Sequence, residues 1–418
     1  MNVSTSGSII VLHVLAGPQA GQELRFTDHQ TFIVGRSRKA HLQLSDSPQF
    51  SRFHCRLELN PPHIAIIDLD STNGTKVNGH RIKLASLVDG DVVTVGDTTF
   101  KVTIIRPLAE SPVAAVPQTF LKTPESAHDS FHKAFRAGDF ADIPGFTLER
   151  ELGHGSMGSV VLARRRATNE YVAIKIMLPL IMSDRKVVER FRREASIVLR
   201  LQHKRIVRCM DFNLTADNVP YLVMEYVNEV KLQEFLKPMS LLDRIRVASG
   251  VIVRVLEGLH YAHTQEIVHR DVKPTNLLAY MSGRKLRVKL ADFGLAKNYV
   301  DAGFSNCSAS NEISGTIAYM SPEQIMNCRY AKPPCDIYAA GVCLYYLISE
   351  RLPYEATSAA AQISLILNSP PVPITDYVSE LPVELASILS RALSREPEDR
   401  YNSAEAMRQA LLPFARRS

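Results

Sequence analysis

The stretch "GHGSMG" sets Gly153, Gly155 and Gly158 in the pattern G-x-G-x-x-G. Missing side chains at that spacing let backbone N–H groups approach phosphate oxygens. In a dinucleotide fold such glycines open a helix, with an acidic residue ~20 positions further on, and in a P-loop Gly-Lys-Ser/Thr follows them. Neither holds here. The glycines precede "SVVLARRRATNEYVAIKIM", two strand patterns around a Thr168-Asn169 turn, which leaves a glycine-rich hairpin. A second stretch, "DLDSTNGTKVNG", carries two Asn-Gly pairs and places Ser71, Thr72 and Asn73 at a turn that either reverses the chain or holds a ligand. His260, His263 and His269 invite a metal reading, but a zinc site needs further ligands, and no Cys or acidic residue is placed to complete one.

The elements that must position these residues fall into blocks. Residues 8–106 consist of short runs such as "SIIVLHVL", "TFIVGR", "CRLEL", "HIAIIDL" and "DVVTVG", separated by Gly, Pro, Asn and Asp. That spacing predicts an all-β sandwich or barrel. Residues 107–143 carry Pro107, Pro112, Pro117 and Pro124 among Ala, Ser and Thr and read as a linker, with room for a short docking helix in "FHKAFRAGDF". Past Pro144 strand patterns return ("FTLERELG", "SVVLARRR", "YVAIKIM"). They give way to helical spacing in "SDRKVVERFRREASIVLRLQ", "LDRIRVASGVIVRVLEGLHYAH", "DIYAAGVCLYYLIS" and "SAEAMRQALLPFA".

Composition excludes several classes. The 418 residues are 45% hydrophobic and 22% charged, the balance of a globular chain with room for two or three domains. A net charge of +6 without a dense basic run gives no support to nucleic-acid binding. The six cysteines form no C-x-x-C pair, which predicts a reduced, intracellular, cytoplasmic protein. No basic residue precedes the apolar run at the N-terminus, so a signal peptide is not expected. "IYAAGVCLYYLIS" falls short of the ~20 residues of a membrane span, so none is expected.

Four motifs in order make the second half resemble a protein kinase: "VAIK" with Lys175, "HRDVKPTN" from His269 to Asn276, "DFG" from Asp292 to Gly294, and "SPE" from Ser321 to Glu323. "GTIAYMSPEQ" and the loop lengths are most similar to the eukaryotic-type serine/threonine kinases of bacteria. The resemblance implies ATP and Mg²⁺ as cofactors and roles residue by residue. Lys175 contacts the α- and β-phosphates and is held by Glu194. Asp271 orients the substrate hydroxyl and accepts its proton, Lys273 steadies the γ-phosphate, and Asn276 and Asp292 supply hard oxygen ligands to the metal. Leu152, Val160 and Ala173 cover the adenine beside the glycine hairpin, and the backbone of Glu225 and Val227 in "YLVMEYV" faces the base, with Met224 behind. Asp336, Glu323 and Arg400 fit structural anchors. Lys273 and Gly315-Thr316 point to serine or threonine as acceptor.

The first half resembles a forkhead-associated (FHA) domain, a β-sandwich whose loops bind phosphothreonine peptides, through "FIVGRS", "SRFHC" and "STNGTKVNG". The resemblance makes Arg36, Ser51 and Arg52 the phosphate ligands and Asn73 a clamp on the peptide backbone. It leaves His54 as a residue that orients the loop and Asn78-Gly79 as a hairpin turn. Arg270 precedes Asp271, which predicts a switch by phosphate on the activation loop, on Ser305, Ser308, Ser310 or Ser314. Thr119 and Thr123 in the linker are candidate phosphothreonines for the reader. The expected architecture is multidomain: an all-β FHA sandwich (8–106), a linker (107–143) and an α+β bilobal kinase fold (144–418). It would act on protein substrates and phosphothreonine peptides or proteins. The rival reading is a catalytically inactive kinase-fold scaffold. Retention of Lys175, Asp271 and Asp292 favours the enzyme.

Overall fold

Period-two alternation builds the first two sheets, because successive side chains of a strand point to opposite faces. The strands are β1 (Ile9–Ala16), β2 (Glu23–Phe26), β3 (Gln30–Gly35), β4 (Leu42–Gln43), β5 (Cys55–Asn60), β6 (His63–Asp68), β7 (Thr75–Val77), β8 (His80–Ile82), β9 (Leu84–Leu87), β10 (Val92–Val95) and β11 (Thr98–Ile105). They order as β2-β1-β11-β10-β7-β8 and β4-β3-β5-β6-β9. Ile10, Leu12 and Val14 of β1, Leu57 and Leu59 of β5, and Phe100 and Val102 of β11 fill the core between the sheets. The computed structural model describes residues 8–45, 50–106, 143–155, 158–177, 195–216, 219–293, 317–327 and 331–415.

A five-stranded antiparallel sheet follows, in the order β12-β13-β14-β16-β15. Its strands are β12 (Phe146–Gly155), β13 (Gly158–Arg165), β14 (Tyr171–Met177), β15 (Cys209–Leu214) and β16 (Pro220–Glu225). One face carries the core of Phe146, Val161, Val172, Ile174, Ile176 and Val223. Ile143, the last residue of the expected linker, is buried in that core, and its carbonyl accepts from Phe146 N at 3.1 Å. The turn between β13 and β14 falls where Thr168-Asn169 predicts it, with Asn169 at φ 58°.

The remaining elements are α1 (Leu232–Leu236), α2 (Leu241–Thr264), the hairpin β17 (Leu277–Ser282) and β18 (Lys285–Leu290), α3 (Pro322–Met326), α4 (Pro334–Ser349), α5 (Ala359–Asn368), α6 (Val383–Ala392) and α7 (Ala404–Ala415). Ser240 caps α2, its Oγ accepting from Asp243 N at 3.2 Å. Buried residues run round much of α4, as expected of a helix packed within a core rather than on its surface. Three of the helices expected from spacing are α2, α4 and α7. The sequence patterns do not single out the β17–β18 hairpin, α5 or α6.

The chain divides into two compact units, Met1–Pro107 with Glu229–Ser418, and Leu108–Asn228. The sandwich shares its unit with the helical elements. The physical reason is a common apolar cluster. Ile33 of β3 and Ile67 of β6 lie on the opposite face from the sandwich core, yet they are buried in one cluster with Phe53, Leu69, Ile325 of α3 and Ile366 of α5.

Candidate active site and phosphopeptide loops

The loop 269–276 is folded by a buried carboxylate. Asp336, near the start of α4, is 1% exposed. Its Oδ2 accepts from His269 N and His263 Nε2, each at 2.8 Å, and its Oδ1 accepts from Arg270 N at 2.7 Å. Burial pushes this carboxyl up, but the His263 bond and the His269 contacts outweigh it and hold its pKa below the ordinary value. Arg270 is thereby pinned at φ 66°, a left-handed conformation that a non-glycine residue adopts at a cost. The histidines are thus scaffold: His269 Nε2 donates to Ala291 O at 2.8 Å, and its Nδ1 accepts from Asp271 N at 3.2 Å. The described residues contain no group of three or more metal-ligating side chains.

That frame brings three sequence-selected residues together. Lys273 Nζ stands 3.1 Å from Asp271 Oδ2. Asn276 Nδ2 donates to Asp271 O at 2.7 Å and to its Oδ2 at 3.2 Å. Ala291 N donates to Asn276 O at 2.9 Å, which ties the DFG segment to the loop, and Asp292 is held at φ 59°. The donor set suits Mg²⁺: a carboxylate and an amide oxygen are the hard ligands that ion takes alongside phosphate and water. Glu323 of α3 accepts from Arg400 at 2.7 and 2.8 Å, a bidentate pair whose guanidinium is fully buried. Sequence reasoning missed Gln324, whose Nε2 donates to Arg270 O at 3.0 Å and ties α3 to the loop.

In the other unit, Lys175 sits on β14, 7% exposed. It pairs across the sheet with Val160 on one side and Leu222 on the other, while Ala173 pairs with Leu162 and Met224. Alternation therefore puts Val160, Ala173, Lys175 and Met224 on the face opposite the Val161–Ile174 core. Leu152 and Gly153 lie on β12, and Gly155 pairs with Gly158 where β12 turns into β13. Glu225 ends β16, and Val227 follows two residues on. Glu194, the activation-loop residues Ser305, Ser308, Ser310, Ser314 and Thr316, the linker threonines Thr119 and Thr123, and the possible linker helix lie outside the described residues.

In the sandwich, close backbone approach builds the end that carries the residues expected to bind phosphopeptide. Arg36 N donates to Ser51 O at 3.1 Å and Ser37 N to Arg52 O at 3.0 Å. Gly35 makes this possible, since a Cβ there would meet Arg52 O at 2.3 Å. Arg36 Nε donates to Phe50 O at 2.6 Å, which fixes the guanidinium beside Ser51. Ser51 Oγ accepts from Thr72 N at 3.1 Å and lies 3.3 Å from Thr72 Oγ1, so the "STNGT" turn meets the "SRFHC" loop. Asn73 is exposed at that turn. Sequence reasoning missed Asp68, a buried carboxylate that organises the turn: it accepts from Ser71 Oγ, from Thr75 Oγ1 at 2.9 Å and from Lys83 Nζ at 3.3 Å. Its signal was an Asp three residues before a Ser-Thr-Asn run, within reach of the Ser71 backbone N–H and hydroxyl. His54, fully buried, bonds Gly74 O through Nε2 at 3.2 Å and so orients the loop. Asn78 and Gly79 both have positive φ, 49° and 84°, and the Asn78 amide bonds Asp91 Oδ1 and Val92 N. That pair is a hairpin turn.

Burial holds the imidazoles of His41, His54 and His269 below their ordinary pKa. The unfolded chain therefore binds protons that the folded chain refuses, in a window that opens near pH ~6.5 and runs down to the lowered folded values. Stability should fall as pH drops through that window. Asp336, held low, keeps its contribution above the ordinary carboxylate range and loses it only as pH falls through its lowered value. Urea midpoints at pH 7.5 and 5.5 check this, the lower midpoint being expected at pH 5.5.

A model of the protein kinase domain matches residues 146–412, and a model of the FHA domain matches residues 32–96. The serine/threonine-protein kinase Pkn1 of Myxococcus xanthus is 36% identical over 271 residues, 64% of this chain and 38% of that protein. The serine/threonine-protein kinase PrkC of Bacillus subtilis is 31% identical over 262 residues, 63% of this chain and 39% of that protein. The matched region thus spans about two fifths of either relative. A crystal structure of a mutant PknI kinase domain from Mycobacterium tuberculosis aligns with a TM-score of 0.50 at 25% identity, covering 66% of this chain and 97% of that one. The matched segments contain the loop 269–276 and the Arg36–Ser51–Asn73 end just described, and the chain belongs to the protein kinase family, with an FHA domain ahead of its kinase domain.

Proposed function

We propose that the chain is an ATP-dependent serine/threonine protein kinase whose FHA domain binds phosphothreonine peptides. The observation that carries the first half is the hydrogen-bonded group Asp271–Lys273–Asn276, with Asp292 tethered to it through Ala291. In this reading the γ-phosphorus gains a bond to the substrate serine or threonine oxygen and loses its bond to the leaving oxygen of ADP. Asp271 takes the hydroxyl proton, and Lys273 meets the charge on the transferred group. Asn276 and Asp292 would hold Mg²⁺, which neutralises phosphate charge. Lys175, with Glu194, holds the α- and β-phosphates below the Gly153–Gly158 hairpin. Leu152, Val160 and Ala173 enclose the base, and the backbone of Glu225 and Val227 reads its edge. Incubation with Mg²⁺ and γ-labelled ATP should place label on serine or threonine of a protein acceptor. Nucleotide binding without any transfer would favour the scaffold.

Arg36, Ser51 and Arg52 form the phosphate end of the FHA domain, with Asn73 on the peptide backbone. Its ligand is a phosphothreonine made by this kinase or a similar one, at Thr119 or Thr123 of the linker or in another protein. Because Arg36 donates a charge-assisted bond, Arg36→Ala should weaken binding of phosphothreonine peptides by about 30-fold or more. Fluorescence anisotropy checks it, and unaltered affinity removes Arg36 from the site. No helix among the described residues is long and apolar enough to cross a membrane.

A further inference from the structure

An antiparallel sheet packed on one side leaves its other face to solvent. The outer face of β4-β3-β5-β6-β9 does not follow that pattern: Ile33 of β3 is 0% and Ile67 of β6 7% exposed, and Phe53 and Leu69, which flank β5 and β6, are buried with them. They are buried in a single cluster with Ile325 of α3 and Ile363 and Leu367 of α5. The sandwich is therefore seated on the helical part of its own chain through an apolar joint.

The rim of that joint is the phosphopeptide end. Arg52 immediately precedes Phe53, and Lys39 lies three residues beyond Arg36. Both line a cavity of about 300 Å³ together with Arg395 and Glu396 from the segment after α6. Lys39 is in an ion pair with Glu396. Arg52 is lowered in pKa by burial and by the nearby Arg395 and Arg36, with Glu396 opposing. Lys39 is thus already paired with a carboxylate of the kinase domain, and Arg52 lines the same cavity as that carboxylate.

We propose that the FHA sandwich docks in cis on the α3–α5 face, and that this docking and phosphothreonine-peptide binding oppose each other, with Glu396 engaging Lys39 and Arg52 in place of the peptide's anion. The proposal rests on the phosphopeptide reading above. Linkage makes the opposition reciprocal: docking weakens the peptide, and the peptide loosens the joint. The loosening reaches the active-site loop, because Gln324 of α3 holds the Arg270 carbonyl.

The test uses the full chain and a degenerate phosphothreonine peptide library, with the unphosphorylated library as control. Glu396→Gln removes one partly exposed carboxylate without disturbing the apolar joint. It should tighten phosphopeptide binding about two- to five-fold, the range spanned by exposed ion pairs. Saturating phosphopeptide should also speed amide hydrogen exchange in β3 and α5 of the wild type. Binding that appears only in Glu396→Gln or Leu367→Asp supports the same conclusion. Equal binding by wild type and Glu396→Gln, with exchange in β3 and α5 unchanged, overturns the opposition; if Arg36→Ala then abolishes binding, the phosphopeptide reading survives. Absence of phosphopeptide binding in every variant overturns both.

Discussion

Asp271→Ala should lower phosphoryl transfer by about 10²–10⁴-fold while leaving ATP affinity within a few-fold of wild type, the pattern of a group used in the transition state rather than in binding. The carboxylate sits where its orientation is fixed from two sides, by Lys273 at 3.1 Å and by the Asn276 amide at 3.2 Å. Removing it takes away the proposed proton acceptor and the side-chain contact to each neighbour, while Asn276 Nδ2 keeps its bond to Asp271 O at 2.7 Å. Single-turnover transfer alongside a separate nucleotide-binding titration distinguishes the two effects. A parallel loss in both would place Asp271 in nucleotide binding instead.

The largest effect on stability is expected at Asp336, which lies outside the proposed chemistry. Its carboxylate is the shared acceptor for His263, His269 N and Arg270 N. Asp336→Ala leaves one buried and two part-buried donors without it, and loss of one partner from a buried charged network costs about 3–5 kcal/mol. Activity should fall with stability, because the Asp336 bond helps hold Arg270 at φ 66° immediately before Asp271. Asp336→Asn, which keeps one acceptor oxygen, should lie between the two. The chain has no tryptophan, so circular dichroism is the suitable probe of urea unfolding. A midpoint equal to wild type would remove Asp336 from its structural role.

The proposed chemistry was legible in the sequence where a short loop carries it. "HRDVKPTN" confines Asp271, Lys273 and Asn276 to a few residues, and these do converge. The partners that hold the loop come from far along the chain: Asp336 and Arg400 were legible only through the family resemblance, and Gln324 was not read at all. The two sheets of the sandwich followed from alternation, but the burial of their outer face did not. The signal was present in "TFIVG" and "HIAIIDL", where Phe32-Ile33-Val34 and Ile66-Ile67 break the alternation because both faces are covered. Their cover includes α5, an "AAAQISLILN" segment in which nothing marks the sandwich as its partner.

Phosphate transfer to serine or threonine by the Asp271 loop is the step on which the proposed function rests. It is tested most directly by incubating wild type and Asp271→Ala with Mg²⁺ and γ-labelled ATP and mapping the modified residues by mass spectrometry. Label is expected on serine or threonine of wild type alone, including at least one of Ser305, Ser308, Ser310 and Ser314. Equal labelling of the two proteins, or none in the wild type with nucleotide bound, would contradict it.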